Sequence, residues 1–319
     1  MNTRKSTIYL SFILSMLLLL SACGGRPKES DSGEDNRQNT ETYQSNTETN
    51  KPNNSNLAPT EAEIQSILDN GEVKVFWAVE ESVFSQSGGV SVYETETVNG
   101  DAVWNVLFSP DDLISRQRFD EYSDMTITLD GSEYAGRLYN AGLIEFSGLS
   151  EIPTGLSPEY LMGSLAGFTG MNWALVEPDA ADTLTYYQFS VDGIMIDQKG
   201  YSVGEEFYNG PILMIHSSGV AISIPFCLGA KGDTLAASDF ISSAQAETLC
   251  TVDLLAQAGS PTVVVFDHAE LVYYYQAQRQ MLLPAWRVYG TFYALFNDGN
   301  VYSGTTTRLI DAQTGELFW

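Results

Sequence analysis

Two pairs of adjacent acids have the residue type and spacing that could support catalysis in this 319-residue chain. Glu80-Glu81 and Asp111-Asp112 offer the carboxylates that glycoside hydrolases use as general acid and as nucleophile or base. The chain holds 41 acidic residues against 15 basic ones, however, and in such a composition adjacent acids are typical of solvated loops. A hydrolase built on these four carboxylates is therefore the least favoured of the functions considered below.

The sequence contains none of the motifs that organise a nucleophile, a phosphate or a zinc ion, such as H-E-x-x-H, G-x-S-x-G, S-x-x-K, the P-loop or G-x-G-x-x-G. Two histidines and three cysteines cannot complete a three-histidine or a four-thiolate zinc site. We interpret His216 and His268 as packed or surface imidazoles, and a thiol–imidazole pair of Cys227 with His268 has no local support. We predict a protein that is not an enzyme, with no catalytic residue, no metal and no cofactor.

The first 23 residues have the pattern of a targeting signal. Arg4 and Lys5 precede an apolar run of 13 residues, Ile8–Leu20, which is too short for a mature membrane span and typical of a signal-peptide core. The run ends in Leu20-Ser21-Ala22-Cys23, which resembles the lipobox of bacterial lipoproteins. The resemblance implies cleavage after residue 22, diacylation of Cys23 and an extracytoplasmic position on the outer face of the cytoplasmic membrane. An uncleaved signal anchor with an incidental cysteine is the alternative.

Residues 23–58 are rich in Ser, Thr, Asn, Glu and Pro and lack apolar periodicity, so we predict a disordered linker. As a flexible coil it would reach roughly 33 Å from the membrane. The six bases and six acids of residues 1–58 cancel, so residues 59–319 carry the whole net charge of −26. A charge of this sign and size repels phosphate backbones, and we predict no nucleic-acid partner.

Once Cys23 is lipidated, Cys227 and Cys250 are the two cysteines that remain. A disulfide between them would suit an extracytoplasmic protein and would contribute roughly 3 kcal/mol in the chain-entropy model. Two buried free thiols fit the sequence equally well.

Capping and turn residues divide residues 59–319 into a few helices and many strands. Thr60 with Glu63 predicts a capped helix that ends near Asp69, and Ser157-Pro158 predicts a helix that ends near Gly167. Further helices are predicted around Ser238–Ala246 and Glu247–Ala258, and turns at Asp130-Gly131 and Asp192-Gly193. Strands are predicted at Val73–Val79, Val90–Val98, Ala102–Phe108, Met125–Leu129, Tyr134–Tyr139, Leu143–Phe146, Leu184–Val191, Ile212–His216, Val220–Phe226, Thr262–Phe266, Glu270–Gln276, Leu283–Leu295 and Thr306–Ile310.

Helices precede groups of antiparallel strands twice along the chain, which is typical of an α+β fold. We expect two lobes of antiparallel sheet with short packing helices, an N-terminal lobe at residues 59–180 and a C-terminal lobe at residues 181–319. Pro178 and Asp179–Asp182 are the expected link between them.

Four segments of the C-terminal half carry a family resemblance: Leu184–Ile194, Glu270–Tyr275, Leu283–Val288 and Ile310–Leu317. They are similar to the "YxQxxxGxPV", "LxY", "LxPxWxV" and "DAxTGE" segments of extracytoplasmic PepSY-like proteins. Their order is most similar to that of the YycH/YycI regulators, which restrain a cell-wall-sensing histidine kinase in Gram-positive bacteria. The resemblance implies PepSY-like lobes and a cell-envelope protein as partner. Those regulators contact the kinase through an uncleaved transmembrane helix, whereas this chain has a lipobox, so the resemblance bears more on the fold than on the partner.

Aromatic side chains are the remaining candidates for a binding surface. Tyr273, Tyr274 and Tyr275 alternate between the two faces of a strand, so one face is expected in the core while Tyr274 points the other way. Trp77 and Trp104 could serve as platforms for a sugar, and Trp286 is expected to pack in the core.

Three functions are compatible with these observations. The favoured one is a non-enzymatic lipoprotein that binds and modulates another cell-envelope protein, a two-component sensor kinase being one example. The second is a binding module for cell-wall glycan or peptide, and the third is the hydrolase described above.

Overall fold

The computed structural model describes residues 58–85, 89–140, 142–176, 185–197, 210–216 and 218–318. The predicted signal peptide, Cys23, nearly all of the predicted linker and the expected link at 178–182 lie outside these ranges. The described residues form an α+β fold in which sheet predominates. They belong to one unit that spans Asn54–Trp319.

Five α-helices occur in the described residues: α1 Glu61–Asp69, α2 Glu81–Phe84, α3 Gly100–Leu107, α4 Pro158–Thr169 and α5 Ser243–Gln257. The strands are β1 Val73–Trp77, β2 Val90–Thr97, β3 Leu113–Arg118, β4 Tyr122–Leu129, β5 Ser132–Tyr139, β6 Leu143–Ser147, β7 Asn172–Val176, β8 Thr185–Val191, β9 Ile194–Met195, β10 Ile212–His216, β11 Gly219–Ser223, β12 Phe226–Leu235, β13 Thr262–Gln276, β14 Met281–Leu295 and β15 Val301–Asp311.

The first sheet has six strands in the order β1-β13-β14-β2-β12, with β15 also paired to β14. Only the β1–β13 pair is parallel. One side of the 15-residue strand β14 pairs with β13 along its whole length. Its other side pairs with β2 at Met281 and Leu282 and with β15 from Ala285 to Leu295, so β14 is the centre of this six-stranded sheet.

The second sheet has nine strands in the order β3-β4-β5-β6-β11-β10-β8-β7, with β9 paired to β8, and all its described pairs are antiparallel. Both predicted Asp-Gly turns close hairpins of this nine-stranded sheet. Asp130 and Gly131 have φ of 52° and 77°, and Asp192 and Gly193 have φ of 52° and 80°. Two successive positive φ values match the twist of a two-residue hairpin, and Asp and Gly tolerate them best.

The predicted boundary between lobes at residue 180 does not follow the strand pairing. Strands β1 and β2 precede that position but pair with β13, β14 and β12 of the six-stranded sheet. Strand β11 follows it but pairs with β6 of the nine-stranded sheet. The sequence order of helices and strands is repeated, but the pairing crosses between the halves because each half leaves strand edges that the other half covers.

The strand predicted at Ala102–Phe108 is instead the helix α3. The Asn99 side chain accepts a hydrogen bond from the Ala102 N–H and caps the helix N-terminus. Val103, Trp104 and Leu107 then lie on one buried face at helical spacing. The β-branched and aromatic residues that suggested a strand are buried by the packing of this face, which outweighs their weak intrinsic preference.

Other boundaries also differ from the sequence predictions. The two helical stretches predicted around Ser238–Ala246 and Glu247–Ala258 form the single helix α5, with Ala237–Asp239 a separate short 3-10 helix. The two strands predicted at Thr262–Phe266 and Glu270–Gln276 form the single strand β13, which contains an irregularity between Phe266 and His268. Strands β3, β7 and β12 were not predicted. The capped helix α1 is confirmed, including the reciprocal Thr60–Glu63 hydrogen bonds.

The largest hydrophobic cluster is built by both sheets together with α3 and α4. Successive residues of β13 belong to two further clusters: Val264 and Phe266 pack with α5, whereas Val263 and Val265 pack with α1. Because successive side chains of a strand point to opposite faces, α5 and α1 cover opposite faces of the six-stranded sheet. Among the described residues, no helix is long and apolar enough to cross a bilayer.

Candidate functional site

The carboxylates considered for catalysis lie at two separate places. Glu80 and Glu81 are exposed at the N-terminus of α2, which follows β1 of the six-stranded sheet. Asp111 and Asp112 lie in a 3-10 turn before β3 of the nine-stranded sheet, and Asp112 accepts a hydrogen bond of 2.9 Å from the Ser109 N–H. Asp112 therefore caps a turn, and the two acidic pairs are not brought into one site.

The two histidines are also apart from the cysteines. The His216 ring lies 2.9 Å from the Ser218 hydroxyl, and the exposed ring of His268 stacks on Tyr289 with centroids 4.7 Å apart. Cys227 is on β12, which is separated from the His268 strand by β14 and β2. Three inter-strand spacings amount to about 14 Å, too far for a thiol–imidazole hydrogen bond.

Cys227 and Cys250 are free thiols in this structure. Cys227 packs against the largest hydrophobic cluster, whereas Cys250 lies on the buried face of α5 in a different cluster. Burial, with a smaller effect of Glu96, raises the pKa of Cys227 to about 11. Burial raises the pKa of Cys250 to about 12, and both thiols are therefore protonated and poorly nucleophilic near neutral pH.

Most of the aromatic residues singled out in the sequence serve as packing. Trp286 is fully buried, as expected, with its ring 4.5 Å from that of Phe84. Trp104 is buried, and the indole N–H of Trp77 donates to the Ser243 hydroxyl at 3.0 Å. Trp104 is therefore closed to a sugar, whereas Trp77 is partly exposed.

The three consecutive tyrosines alternate between faces as the strand period predicts. Tyr273 and Tyr275 are buried in the largest hydrophobic cluster, to which both sheets contribute. Tyr274 points to the opposite face and stacks on Phe318 with centroids 4.2 Å apart. Its phenol lies beside the C-terminal segment of the chain.

An ionic network on the six-stranded sheet was not predicted from the sequence. Arg287 on β14 donates to Asp197 at 2.7 Å and to Glu270 on β13, and the Tyr289 hydroxyl donates to Glu270 at 2.7 Å. The Asp197 side chain is 0% exposed and that of Arg287 is 20% exposed. Burial alone lowers the pKa of Arg287, but the charges of Asp197 and Glu270 outweigh that effect and hold the pKa above its ordinary value.

This network lies where the two sheets are joined. Asp197 follows β9 of the nine-stranded sheet, and its N–H donates to the Tyr273 carbonyl of β13 at 2.7 Å. The neighbouring residue Ile196 forms a parallel bridge with Tyr273. The network therefore ties the β8–β9 hairpin to the six-stranded sheet, and its charged groups are engaged with one another.

A second contact ties the same hairpin to β2. The Tyr93 hydroxyl donates to Asp192, which stands in the β8–β9 turn, and the Lys231 ammonium lies 3.8 Å from the same carboxylate. Burial, then the hydrogen bond to Asp192, raises the pKa of Tyr93 to about 12. The sequence predicted the Asp192-Gly193 turn, but it did not predict the contacts of Asp192 with Tyr93 and Lys231, because these residues are distant in sequence.

A cleft with a cavity volume of about 270 Å³ lies between the C-terminal half of α5 and the six-stranded sheet. Its floor is formed by Val264, Phe292 and Ala294, and Thr306 and Arg308 of β15 form one wall. Arg308 is held by Asp253 of α5 at 2.7 Å. We define the α5–β15 cleft by these residues with Leu254, Gln257, Ala258, Gly259 and Thr262.

Two half-exposed aromatic residues stand at the end of β15 that is farthest from Arg308. Phe296 is 51% exposed and Tyr302 is 49% exposed, and their rings meet edge to face with centroids 5.1 Å apart. Tyr302 pairs with Ala294, a residue of the cleft floor, so its side chain lies on the cleft side of the sheet. The exposed aromatic pair and the apolar floor of the cleft are therefore on the same side of the sheet.

No cluster of three or more histidine, cysteine, aspartate or glutamate side chains suited to a metal ion occurs in the part of the chain that the structure describes. The candidate site consists of the α5–β15 cleft and the exposed side of β15.

Comparison with known proteins finds a similarity to a solved structure. No family model and no curated protein matches the chain. Among solved structures, the chain is similar to an uncharacterized protein from Eubacterium rectale ATCC 33656. The two share 12% sequence identity with a TM-score of 0.43, over 77% of this chain and 89% of that one.

Proposed function

We propose that this protein is a lipid-anchored extracytoplasmic lipoprotein that binds and modulates another cell-envelope protein and catalyses no reaction. The observation that carries the proposal is the sequence Leu20-Ser21-Ala22-Cys23 at the end of a short apolar run. Diacylation of Cys23 would supply two acyl chains, which suffice for stable anchoring where one chain does not. The anchored domain then works on the outer face of the cytoplasmic membrane.

The fold that we propose in finer detail is PepSY-like. The resemblance rests on four segments, of which one covers β8–β9, two lie on β13 and β14, and Ile310–Leu317 begins at the end of β15. Strands β13, β14 and β15 are adjacent in the six-stranded sheet, so three of the four segments lie close together. A YycH/YycI-like regulator of a sensor kinase is the specific form of this proposal.

Binding is favoured over catalysis because of how the polar side chains are used. The carboxylates considered for catalysis are dispersed, and the buried ionic network at Arg287 joins the two sheets. The α5–β15 cleft and the exposed aromatic residues beside it are the features suited to a partner.

The test is crosslinking of the intact lipoprotein in cells, followed by mass spectrometry of the captured proteins. We expect a sensor kinase or another membrane protein to be recovered reproducibly with the wild-type chain. The Cys23→Ala variant is the matched control, because it keeps the folded domain but loses the anchor, and it should be released from the membrane and lose the partner. Recovery of wall fragments alone, or of nothing, would overturn the proposal.

A further inference from the structure

We propose that the outer edge of β15, at residues Val301–Thr307, accepts an extended segment of the partner that carries lysine or arginine and adds it as a further strand. We call these residues the β15 edge. The inference rests on the proposed function and states how, and through which chemistry, the partner binds.

The chain itself shows that the outer side of β15 can hold a strand. The Phe318 N–H donates to the Leu309 carbonyl at 2.9 Å, and the Asp311 N–H donates to the Glu316 carbonyl at 2.8 Å. A bridge joins Ile310 to Leu317. Residues 316–318 therefore pair with the outer side of β15 at Leu309–Asp311, in the position that a seventh strand would take.

The register shows which backbone groups are available. Leu309 and Asp311 direct their backbone groups outward, and β15 pairs with β14 without a register shift from Val301 to Asp311. Along a strand, the N–H and C=O groups of alternate residues point to the same side. The backbone N–H and C=O groups of Ser303 and Thr305 therefore also point away from β14. Both are exposed, and their outward groups have no backbone partner among the described residues. Arg308 donates to the Thr307 carbonyl at 3.0 Å and marks the upper limit of the open stretch.

The other described edges carry features that oppose strand addition, and the β15 edge does not. The pairing of β12 with β2 has two register shifts, and β12 contains the charged residues Lys231 and Asp233. Strand β3 carries Arg116 and Arg118, while β1 and β7 are only five residues long. Bulges, charges and short length all blunt an edge. The sequence of the β15 edge, VYSGTTT, has no charge and no proline.

The α5–β15 cleft lies beside the same edge and gives it a means of selection. Thr306 and Arg308 of β15 line the cleft, so alternate side chains of an added strand would lie next to its apolar floor. Main-chain hydrogen bonds would supply affinity, and the cleft would select apolar side chains at alternate positions.

The net charge of the chain distinguishes between two possible occupants of the β15 edge, a second copy of the chain and a basic segment of another protein. The net charge of −26 lies entirely in residues 59–319, so a second copy of the chain is repelled, whereas a basic segment is attracted from solution. The β15 edge itself is neutral, so the attraction comes from the net charge of residues 59–319 as a whole. The partner segment is therefore extended, with apolar residues alternating with lysine or arginine.

The experiment uses the full chain and a fluorescent peptide of about ten residues in which valine alternates with lysine. Thr305→Pro removes one outward N–H without removing a hydrogen bond to β14, since proline is tolerated where the N–H faces solvent. Thr305→Val keeps that N–H and changes only the side chain. We expect Thr305→Pro to weaken binding by about tenfold, the equivalent of one lost hydrogen bond, and Thr305→Val to bind like the wild type.

The outcomes separate this inference from the proposed function. The wild type, Thr305→Pro and Thr305→Val have the same net charge. Equal binding of the peptide by all three would therefore show attraction by charge alone and would overturn the inference. Absence of binding by the wild type would also overturn it. If Thr305→Pro does not melt like the wild type, Ser303→Pro replaces it at the same side of the strand. A concentration-dependent dimer that Thr305→Pro abolishes would identify a second copy as the occupant and also overturn it. Capture of the cellular partner by both wild type and Thr305→Pro would leave the proposed function standing without the β15 edge.

Discussion

Arg287 shows how a single residue can hold two sheets together. Its guanidinium lies between the fully buried carboxylate of Asp197 and the partly exposed carboxylate of Glu270. A buried carboxylate that loses its cation keeps its desolvation cost without the compensating attraction, which makes removal of one partner far more damaging than the net value of the pair. An exposed ion pair of the same protein therefore serves as a comparison that shows how much of the cost is due to burial.

We expect Arg287→Gln to lower the free energy of unfolding by about 3 kcal/mol, because the buried carboxylate of Asp197 would lose the attraction of the Arg287 guanidinium. Arg137→Gln is the matched control. Its pair with Asp124 is nearly half exposed on both sides, and such pairs contribute about 0.5 kcal/mol. Urea denaturation of the three proteins measures both changes. Equal small losses would show that the Arg287 network does not join the sheets.

The buried thiols predict a dependence of stability on alkaline pH. Burial raises the pKa of Cys250 from its ordinary value to about 12 in the folded state, so above the unfolded pKa the unfolded chain loses its proton first. The contribution of Cys250 is complete below about pH 9 and is lost as pH rises toward 12. Urea midpoints should fall above about pH 9, and less steeply for Cys250→Ala. If the urea midpoints of the wild type and of Cys250→Ala fell in parallel with pH, Cys250 would not be the cause. The decrease that remains in Cys250→Ala is assigned to other groups with a raised pKa, such as Tyr93.

At the scale of elements, the irregularity in β13 depends on the residue opposite it. Phe266 pairs with Gly290 and His268 pairs with Tyr289, so Asp267 is the extra residue of a bulge. A Cβ atom built on Gly290 would lie 1.9 Å from the Val265 carbonyl oxygen. The backbones of β13 and β14 approach so closely here that only glycine fits.

Gly290→Ala is expected to destabilise the protein by about 3 kcal/mol, because the clash is with backbone and cannot be relieved by a rotamer change. Gly163→Ala is the control, since no atom lies within 4 Å of a Cβ at this exposed position of α4. That substitution should stabilise by about 0.5–1 kcal/mol through helix propensity. Thermal melts of both variants test the pair of expectations, and a Gly290→Ala protein that melts like the wild type would show that the bulge is dispensable.

At the scale of the whole molecule, the two halves of the sequence are not independent. The six-stranded sheet takes β1 and β2 from residues before 180, and the nine-stranded sheet joins β6 to β11 across that position. One hydrophobic cluster spans both sheets. A half of the chain would expose strand edges and a large part of this cluster to water.

A fragment of residues 181–319 is therefore expected not to fold cooperatively, because β13 lacks β1, β14 and β12 lack β2, and β11 lacks β6. The fragment 54–319, which contains all the described strands, should unfold in one transition. Circular dichroism during urea denaturation compares the two. A sharp transition of the shorter fragment would restore the two-lobe organisation expected from the sequence.

Local features were predictable because they depend on neighbouring residues. The Thr60–Glu63 capping box, the two Asp-Gly turns and the alternation of Tyr273, Tyr274 and Tyr275 all follow from the conformational preferences and spacing of a few adjacent residues. The α+β class followed from the order of such elements. The lipobox-like sequence at residues 20–23 and the net charge of −26 are read from the sequence alone, and they carry the proposals about anchoring and about a basic partner.

Tertiary structure decided what depends on residues far apart in sequence. Whether Ala102–Phe108 forms a strand or a helix was decided by the burial of one helical face of α3 against the largest hydrophobic cluster, which local propensity does not encode. The Arg287–Asp197 pair spans 90 positions, and β15 lies at an edge because of the order in which the strands of the six-stranded sheet pair. Strand pairing is specified by complementary edges and a shared core, so the sheet order, the junction between the sheets and the binding edge became visible only in the folded chain.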